Sequence, residues 1–180
     1  MRTDRRSWRD RRVAVLVMVV AAACAGGGGG SGEVKELARL PVDTLQGILT
    51  RSDVALDTEV TADGKGALRV TATAPTTVHL YEMGDIDVEN ARLVYAAKVR
   101  TRDLEGKAYL EMWCHFPGQG EFFSRGLPNA VGGTTEWTSH ETPFFLQKGQ
   151  NPDNVKLNLV VQGTGTVWID DIHLTSAPLS

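Results

Sequence analysis

Lys107–Phe116 reads KAYLEMWCHF. Ala108, Leu110, Met112, Cys114 and Phe116 fall on one side of an extended chain and Tyr109, Glu111, Trp113 and His115 on the other, because strand side chains alternate with a period of two. On a helix the two sets would intermingle, so this stretch is a strand with an apolar face turned to a core. Working outward, Val155–Gln162 (VKLNLVVQ) repeats the pattern, with Val155, Leu157, Leu159 and Val161 opposite Lys156, Asn158, Val160 and Gln162. In Ala91–Arg100, Leu93, Tyr95, Ala97 and Val99 separate from Arg92, Lys98 and Arg100. Shorter β-type runs occupy Ala67–Ala74, Thr77–Met83, Pro143–Leu146 and Thr166–Leu174. Turn chemistry divides them: Asp63-Gly64, Leu104-Glu105-Gly106, Pro117-Gly118 and Gly163-Thr164-Gly165. No helical period is sustained. At least seven short strands of this kind predict an all-β domain, a two-sheet antiparallel β-sandwich of jelly-roll type.

The strands begin only after a different kind of sequence. Residues 1–12 carry six arginines against Asp4 and Asp10, and Val13–Ala23 contains no polar side chain. Eleven apolar residues are too few for a stable transmembrane helix, which takes about 20, but they suit a signal peptide over 1–23. Ala21-Ala22-Ala23-Cys24 resembles a lipobox, without the usual leucine three positions before the cysteine. That resemblance makes Cys24 the lipidation site of a bacterial lipoprotein; the alternative is ordinary secretory cleavage with Cys24 incidental. Cys24 and the run AGGGGGSG form a linker over 24–32, too poor in apolar area to fold and suited to a tether. The expected domain is 33–180. Loss of the leader leaves thirteen basic and twenty acidic residues, a net charge of −7, which argues against nucleic acid as a partner. The expected location is the bacterial cell envelope, with membrane contact through the lipid anchor alone. With Cys24 lipidated, Cys114 has no disulfide partner within the chain.

The stretch Thr134–Leu174 carries a resemblance. Trp137 after a polar turn, the VKLNLVV strand, the turn at Gly163 and Gly165, and the last strand Val167-Trp168-Ile169-Asp170-Asp171-Ile172-His173-Leu174 are similar to the C-terminal half of galactose-binding-domain-like jelly rolls, the fold of many non-catalytic carbohydrate-binding modules. The resemblance implies structural roles for Trp137 and Trp168. It also makes Asp170 a candidate ligand for a structural Ca2+, a hard ion that suits oxygen donors, with Asp43 or Glu33 as candidate partners. The alternative is that Asp170 accepts backbone N–H bonds without a metal. Alternation in the last strand places Asp170 on the side of Trp168, Ile172 and Leu174. No cofactor is required.

For function, Tyr109, Glu111, Trp113 and His115 form the candidate ligand face, joined by Lys156 and Asn158 if the two strands are neighbours. Sugar rings present apolar C–H faces that stack on aromatic rings, while their hydroxyls seek carboxylate, imidazole and amide groups. Alternatively, the connection Gly118–Thr135 folds over this face and makes the aromatics a second packing layer; Phe122 and Phe123 within it, with Arg125 nearby, either cap the sheet or contribute an exposed wall. Catalytic signals are weak. There is no Gly-x-Ser-x-Gly elbow, the four histidines stand far apart, and Cys114 lies on the apolar face, where a thiol is inert. The expected function is that of an exported, membrane-anchored, non-catalytic binding domain for a glycan. An envelope protein is the alternative partner, in a protein-interaction or envelope-structural lipoprotein, and a small hydrolase is the third reading.

The leader generates the first prediction. Mass spectrometry of the native protein is expected to find a lipid-modified cysteine at residue 24 as the mature N-terminus, with Cys24→Ser leaving the precursor unlipidated; an unmodified mature chain starting elsewhere would overturn it.

Overall fold

The computed structural model describes residues 33–179. The leader over 1–23, Cys24 and the linker over 24–32 lie outside the described residues. Eight strands follow: β1 (Lys35–Leu40), β2 (Val54–Asp57), β3 (Ala67–Ala72), β4 (Thr76–Gly84), β5 (Ala91–Phe116), β6 (Gly120–Arg125), β7 (Val131–Leu146) and β8 (Asn154–Pro178). All pairings are antiparallel.

β5 and β8 pair along almost their whole length, from Ala91 opposite Pro178 to His115 opposite Asn154. At about 3.3 Å per residue a straight strand as long as β5 would run roughly 85 Å. Yet Leu93, Tyr95, Leu110 and Met112, from its two ends, belong to one buried core. The paired strands therefore bend, where Asp103–Gly106 faces Gly163–Gly165. The register slips by one residue between Arg102 and Glu105, and Asp103 takes a φ of 51°. Bulges of this kind turn a strand sharply. Here the sequence predicts chain-reversing turns at Leu104-Glu105-Gly106 and Gly163-Thr164-Gly165, and the structure has bends inside two continuous strands.

One layer contains β7, the first half of β5 and the second half of β8, with β1 and β3 side by side along β8 and β2 beyond β3. In the other, β4, the first half of β8, the second half of β5 and β6 lie in that order. This is the expected β-sandwich. The inward residues are those the alternation selects: Ala108, Leu110, Met112, Cys114 and Phe116 from β5, and Val155, Leu157, Leu159 and Val161 from β8, are all buried. Burial also pushes the Cys114 thiol up to about 12, so it stays protonated and unreactive.

The structure decides between the two readings of the Gly118–Thr135 connection and corrects one expectation in the last strand. The connection after Pro117 does not fold over the sheet: Gly118 and Gly120 turn the chain into β6, which runs beside β5 with Trp113 opposite Phe123 and Glu111 opposite Arg125. In the last strand, Asp170 does not share a face with Ile172 and Leu174. Trp168 lies opposite Arg100 and Asp170 opposite Lys98, both outward, whereas Val167, Ile169, Ile172 and Leu174 enter the core. A bulge explains this, since two residues, Asp171 and Ile172, occupy the space opposite Ala97 alone, and Asp171 has a φ of 50°. One extra residue exchanges the faces of everything after it.

Asp170 and Trp168 are buried even so, beneath neighbouring loops. Asp170 Oδ2 accepts from the Ala62 N–H at 2.9 Å and Oδ1 from the Asp171 N–H at 2.7 Å. Desolvation raises its pKa against these donors. Trp168 Nε1 donates to Asp57 at 2.9 Å, and the Arg102 guanidinium lies 5.1 Å from its ring centre. Glu33 is exposed, and among the described residues no three His, Cys, Asp or Glu side chains gather in a way that could hold a metal ion.

Asp170→Ala leaves two part-buried N–H groups without acceptors, and thermal unfolding is expected to show a loss of about 1–3 kcal/mol. Asp171→Asn, which keeps a residue tolerant of positive φ and an oxygen for His173 and loses only the charge facing Arg39, Lys98 and His173, should cost less. Equal melting temperatures for the two variants would reject the role given to Asp170.

Candidate functional site

The outer face of the β4–β8–β5–β6 layer carries the candidate site, and the strand register orders it into rows. Antiparallel neighbours opposite one another put their side chains on the same face and in contact. One row reads Thr77, Val160, Tyr109 across β4, β8 and β5; the next reads His79, Asn158, Glu111, Arg125 across all four strands; the third reads Glu82, Lys156, Trp113, Phe123. A bulge between His79 and Tyr81 turns Leu80 and Tyr81 toward the core and leaves His79 outside.

The second row is a continuous polar ladder. His79 Nδ1 lies 3.0 Å from Asn158 Oδ1. Asn158 Nδ2 donates to Glu111 Oε1 at 3.2 Å, Trp113 Nε1 donates to the same oxygen at 2.7 Å, and Arg125 Nε donates to Glu111 Oε2 at 2.6 Å. Glu111 and Asn158 are only 5% and 2% exposed. Burial alone would raise the Glu111 pKa, but the donors from Arg125, Trp113 and Asn158 outweigh it and hold the carboxyl below its ordinary value. A buried carboxylate is tolerated when its oxygens are this well supplied. On either side, Gln162 Nε2 donates to Tyr109 Oη at 3.1 Å and Lys156 Nζ donates to Glu121 Oε1 at 2.5 Å.

Above this floor is a groove of about 480 Å³, walled on one side by Glu121 and Arg125 of β6 and on the other by Thr77 and His79 of β4. Trp113 is half-buried in it, and its ring meets Phe123 at 4.9 Å between centres with a 48° tilt. The Arg125 guanidinium covers the Phe123 ring at 4.2 Å. Phe122, its neighbour, points the other way and packs edge-on against Phe116. The arrangement can offer a ring to an apolar sugar face. It also leaves free hydrogen-bonding positions on Arg125, Lys156, Tyr109 and Gln162, whose known bonds do not saturate them.

Of the six predicted residues, Tyr109, Glu111, Trp113, Lys156 and Asn158 line the groove together. His115 does not: it shares their face but sits at the strand end, where its Nδ1 lies 2.6 Å from Asp153 Oδ1. Nor is the face uniformly solvated, since Tyr109 is 4% exposed and serves as floor. The lining residues missed are Thr77, His79, Glu121, Arg125, Val160 and Gln162. Gln162 continues the Lys156–Asn158 alternation and was legible. His79 needed the pairing of β4 with β8, and Glu121 and Arg125 needed β6 to be recognised in the short run GEFFSR.

No protein-family model matches the chain. No curated protein matches it in sequence. Among solved structures, the fold is similar to the CBM22-1 xylan-binding domain of Paenibacillus barcinonensis Xyn10C, with a TM-score of 0.58 and 15% identity over 85% of this chain and 100% of that one. This is the β-sandwich fold of carbohydrate-binding modules. The C-terminal family 22 carbohydrate-binding module of Clostridium thermocellum Xyn10B, whose cleft residues act in ligand binding, aligns with a TM-score of 0.52 and 12% identity over 82% of this chain and 94% of that one. The CBM22-1–GH10 modules of the same Clostridium thermocellum enzyme, complexed with xylohexaose, give 0.58 and 14% over 78% of this chain and 28% of that longer one. At such identities the likeness is one of fold.

Glu111→Gln is the test of the ladder, because a neutral amide cannot pair with Arg125. A loss toward the low end of about 1.5–3 kcal/mol is expected at neutral pH, since Arg125 is partly solvated. The lowered pKa sets the sign: the stabilisation is present above the ordinary glutamate value and fades as pH falls through the lower folded value. Melting curves of wild type and variant should therefore converge in acid, and a gap that persists or widens there would contradict the assignment.

Proposed function

We propose that this domain is a non-catalytic glycan-binding module, tethered to the bacterial envelope through Cys24 and the glycine linker, and that its groove takes a neutral, xylan-type polysaccharide chain. One observation carries the reading: an aromatic row, Trp113 with Phe123, lies beside a hydrogen-bonded polar row, His79 to Arg125, on a single concave sheet face. Sugar rings need both surfaces at once. The charges of the groove are matched internally, Glu111 with Arg125 and Glu121 with Lys156, which favours an uncharged ligand over one that must displace an ion pair. The similarity in fold to xylan-binding modules supports the choice of chain.

The same geometry argues against general acid catalysis by Glu111. A general acid needs a raised pKa to remain protonated near neutrality, whereas Glu111 is held ionised by its donors. The other carboxylate on the groove lining, Glu121, is bound to Lys156. The ladder instead fixes the rotamers of floor and wall before ligand arrives, reducing the ordering cost of binding.

Stacking on one indole with a few neutral hydrogen bonds, each about 0.5–1.5 kcal/mol net, gives an expected dissociation constant in the micromolar to millimolar range. In calorimetric titration with xylohexaose, Trp113→Ala is expected to remove most binding while the domain stays folded, with the melting temperature lowered only by the loss of one of the three Glu111 donors. Met112→Ala, in the core beneath, should cost about 2–5 kcal/mol of stability and leave the residual folded protein able to bind. If wild type binds neither xylohexaose nor any member of a glycan array, the reading fails.

A further inference from the structure

A second recess lies against the outer flank of β6 and shares only Arg125 with the groove's polar ladder. It measures about 530 Å³ and is walled by Phe123, Pro143, Phe144 and Phe145, with Arg125 and Glu141 as polar members. Phe123 and Phe145 are 50% and 57% exposed, an unusual density of uncovered aromatic surface for one corner of a small domain. β6 ends the strand order on this side, so no further strand covers it. The floor is rigid: Ser124 Oγ donates to the Pro143 carbonyl at 2.5 Å and lies 2.8 Å from Thr142 Oγ1, fastening the edge of β6 to β7.

Two features select the occupant. Arg125 lines both recesses, with its Nε on Glu111 in the groove and its guanidinium over Phe123. The two recesses thus adjoin at a single side chain, the second turning from the outer face of β6 around the edge of the sandwich to β7, where Phe145 stands opposite Arg92. The second is richer in aromatic surface than the first, but it too sets open rings, Phe123 and Phe145, next to groups that hydrogen-bond hydroxyls, Arg125, Asn129 and Glu141. We propose that the ligand surface continues from the groove across Arg125 onto Phe123 and Phe145, so that a chain filling the groove places further sugar units on this outer platform. The proposal rests on the glycan-binding reading of the groove. It extends that reading from a short oligosaccharide to a polymer, with Phe145 as the outer stacking residue and Arg125 as the bridge.

The test is calorimetric titration of the purified protein with xylotriose and xylohexaose. Wild type is expected to bind the longer sugar more tightly. Phe145→Ala should weaken xylohexaose binding by about tenfold, equivalent to about 1.4 kcal/mol, and leave xylotriose binding unchanged. Phe145→Tyr, which keeps a ring, should restore the difference, and unchanged thermal melting would show that neither variant disturbs the fold. If Phe145→Ala binds both sugars as wild type does, the outer platform is refuted and the groove reading stands. If wild type binds xylotriose and xylohexaose equally, the platform is likewise refuted. If wild type binds neither sugar but Trp113→Ala and wild type both fold, the groove reading falls and the platform with it.

Discussion

Everything in this domain depends on a place where two backbones touch. An added Cβ on Gly163 would meet the Glu105 carbonyl oxygen at 1.9 Å, and one on Gly106 would meet the Gln162 carbonyl oxygen at 2.1 Å. Only glycine permits this approach without moving the chain. Because β5 and β8 are hydrogen-bonded to each other on both sides of the contact, they must bend together, and the bend brings the halves of one long ribbon face to face. The core, the two layers and the separation of outer faces all follow from it. Tyr109, Glu111 and Trp113 are placed on one side of the molecule, while Arg92, Lys98 and Arg100, earlier in the same strand, are placed on the other.

The groove illustrates how a sheet can carry a buried charge. Glu111 is almost fully covered, and an isolated carboxylate there would be neutralised rather than tolerated. Three donors from three different strands, Asn158, Trp113 and Arg125, keep it ionised. Asn158 and Arg125 reach it because cross-strand partners in a pleated sheet stand side by side, and Trp113 because it is the next residue on the same face of β5. The electrostatic arrangement is therefore a consequence of register. A slip of one residue in β6 or β8 would turn Arg125 or Asn158 to the opposite face and leave the charge unpaired.

The bulge at Asp171 shows the reverse case, in which a local irregularity defeats a regular pattern. Strict alternation places Asp170 beside Ile172 and Leu174. The left-handed backbone at Asp171 inserts one residue, and Asp170 turns outward to be covered by the segment at Ala62 instead. The carboxylate is buried by either route, but of its two backbone N–H partners one is that of the adjacent Asp171 and the other, Ala62, comes from more than a hundred residues away in the chain.

By itself the sequence determined the alternation, and with it the β class, the sandwich, the inward set of β5 and β8, and five of the six candidate groove residues that do line the groove. These are local properties, because the period of two is written in consecutive residues and burial of one face follows from it. Only the tertiary structure decided which strands are neighbours. It chose a wall over a cover for Gly118–Arg125, added His79 from β4 and Arg125 from β6, and left His115 at the rim with Asp153. Pairing and register are set by long-range closure of a bent ribbon, by turns that no period encodes, and by single-residue bulges that exchange faces. A residue's position along its own strand carries no record of what another strand brings beside it.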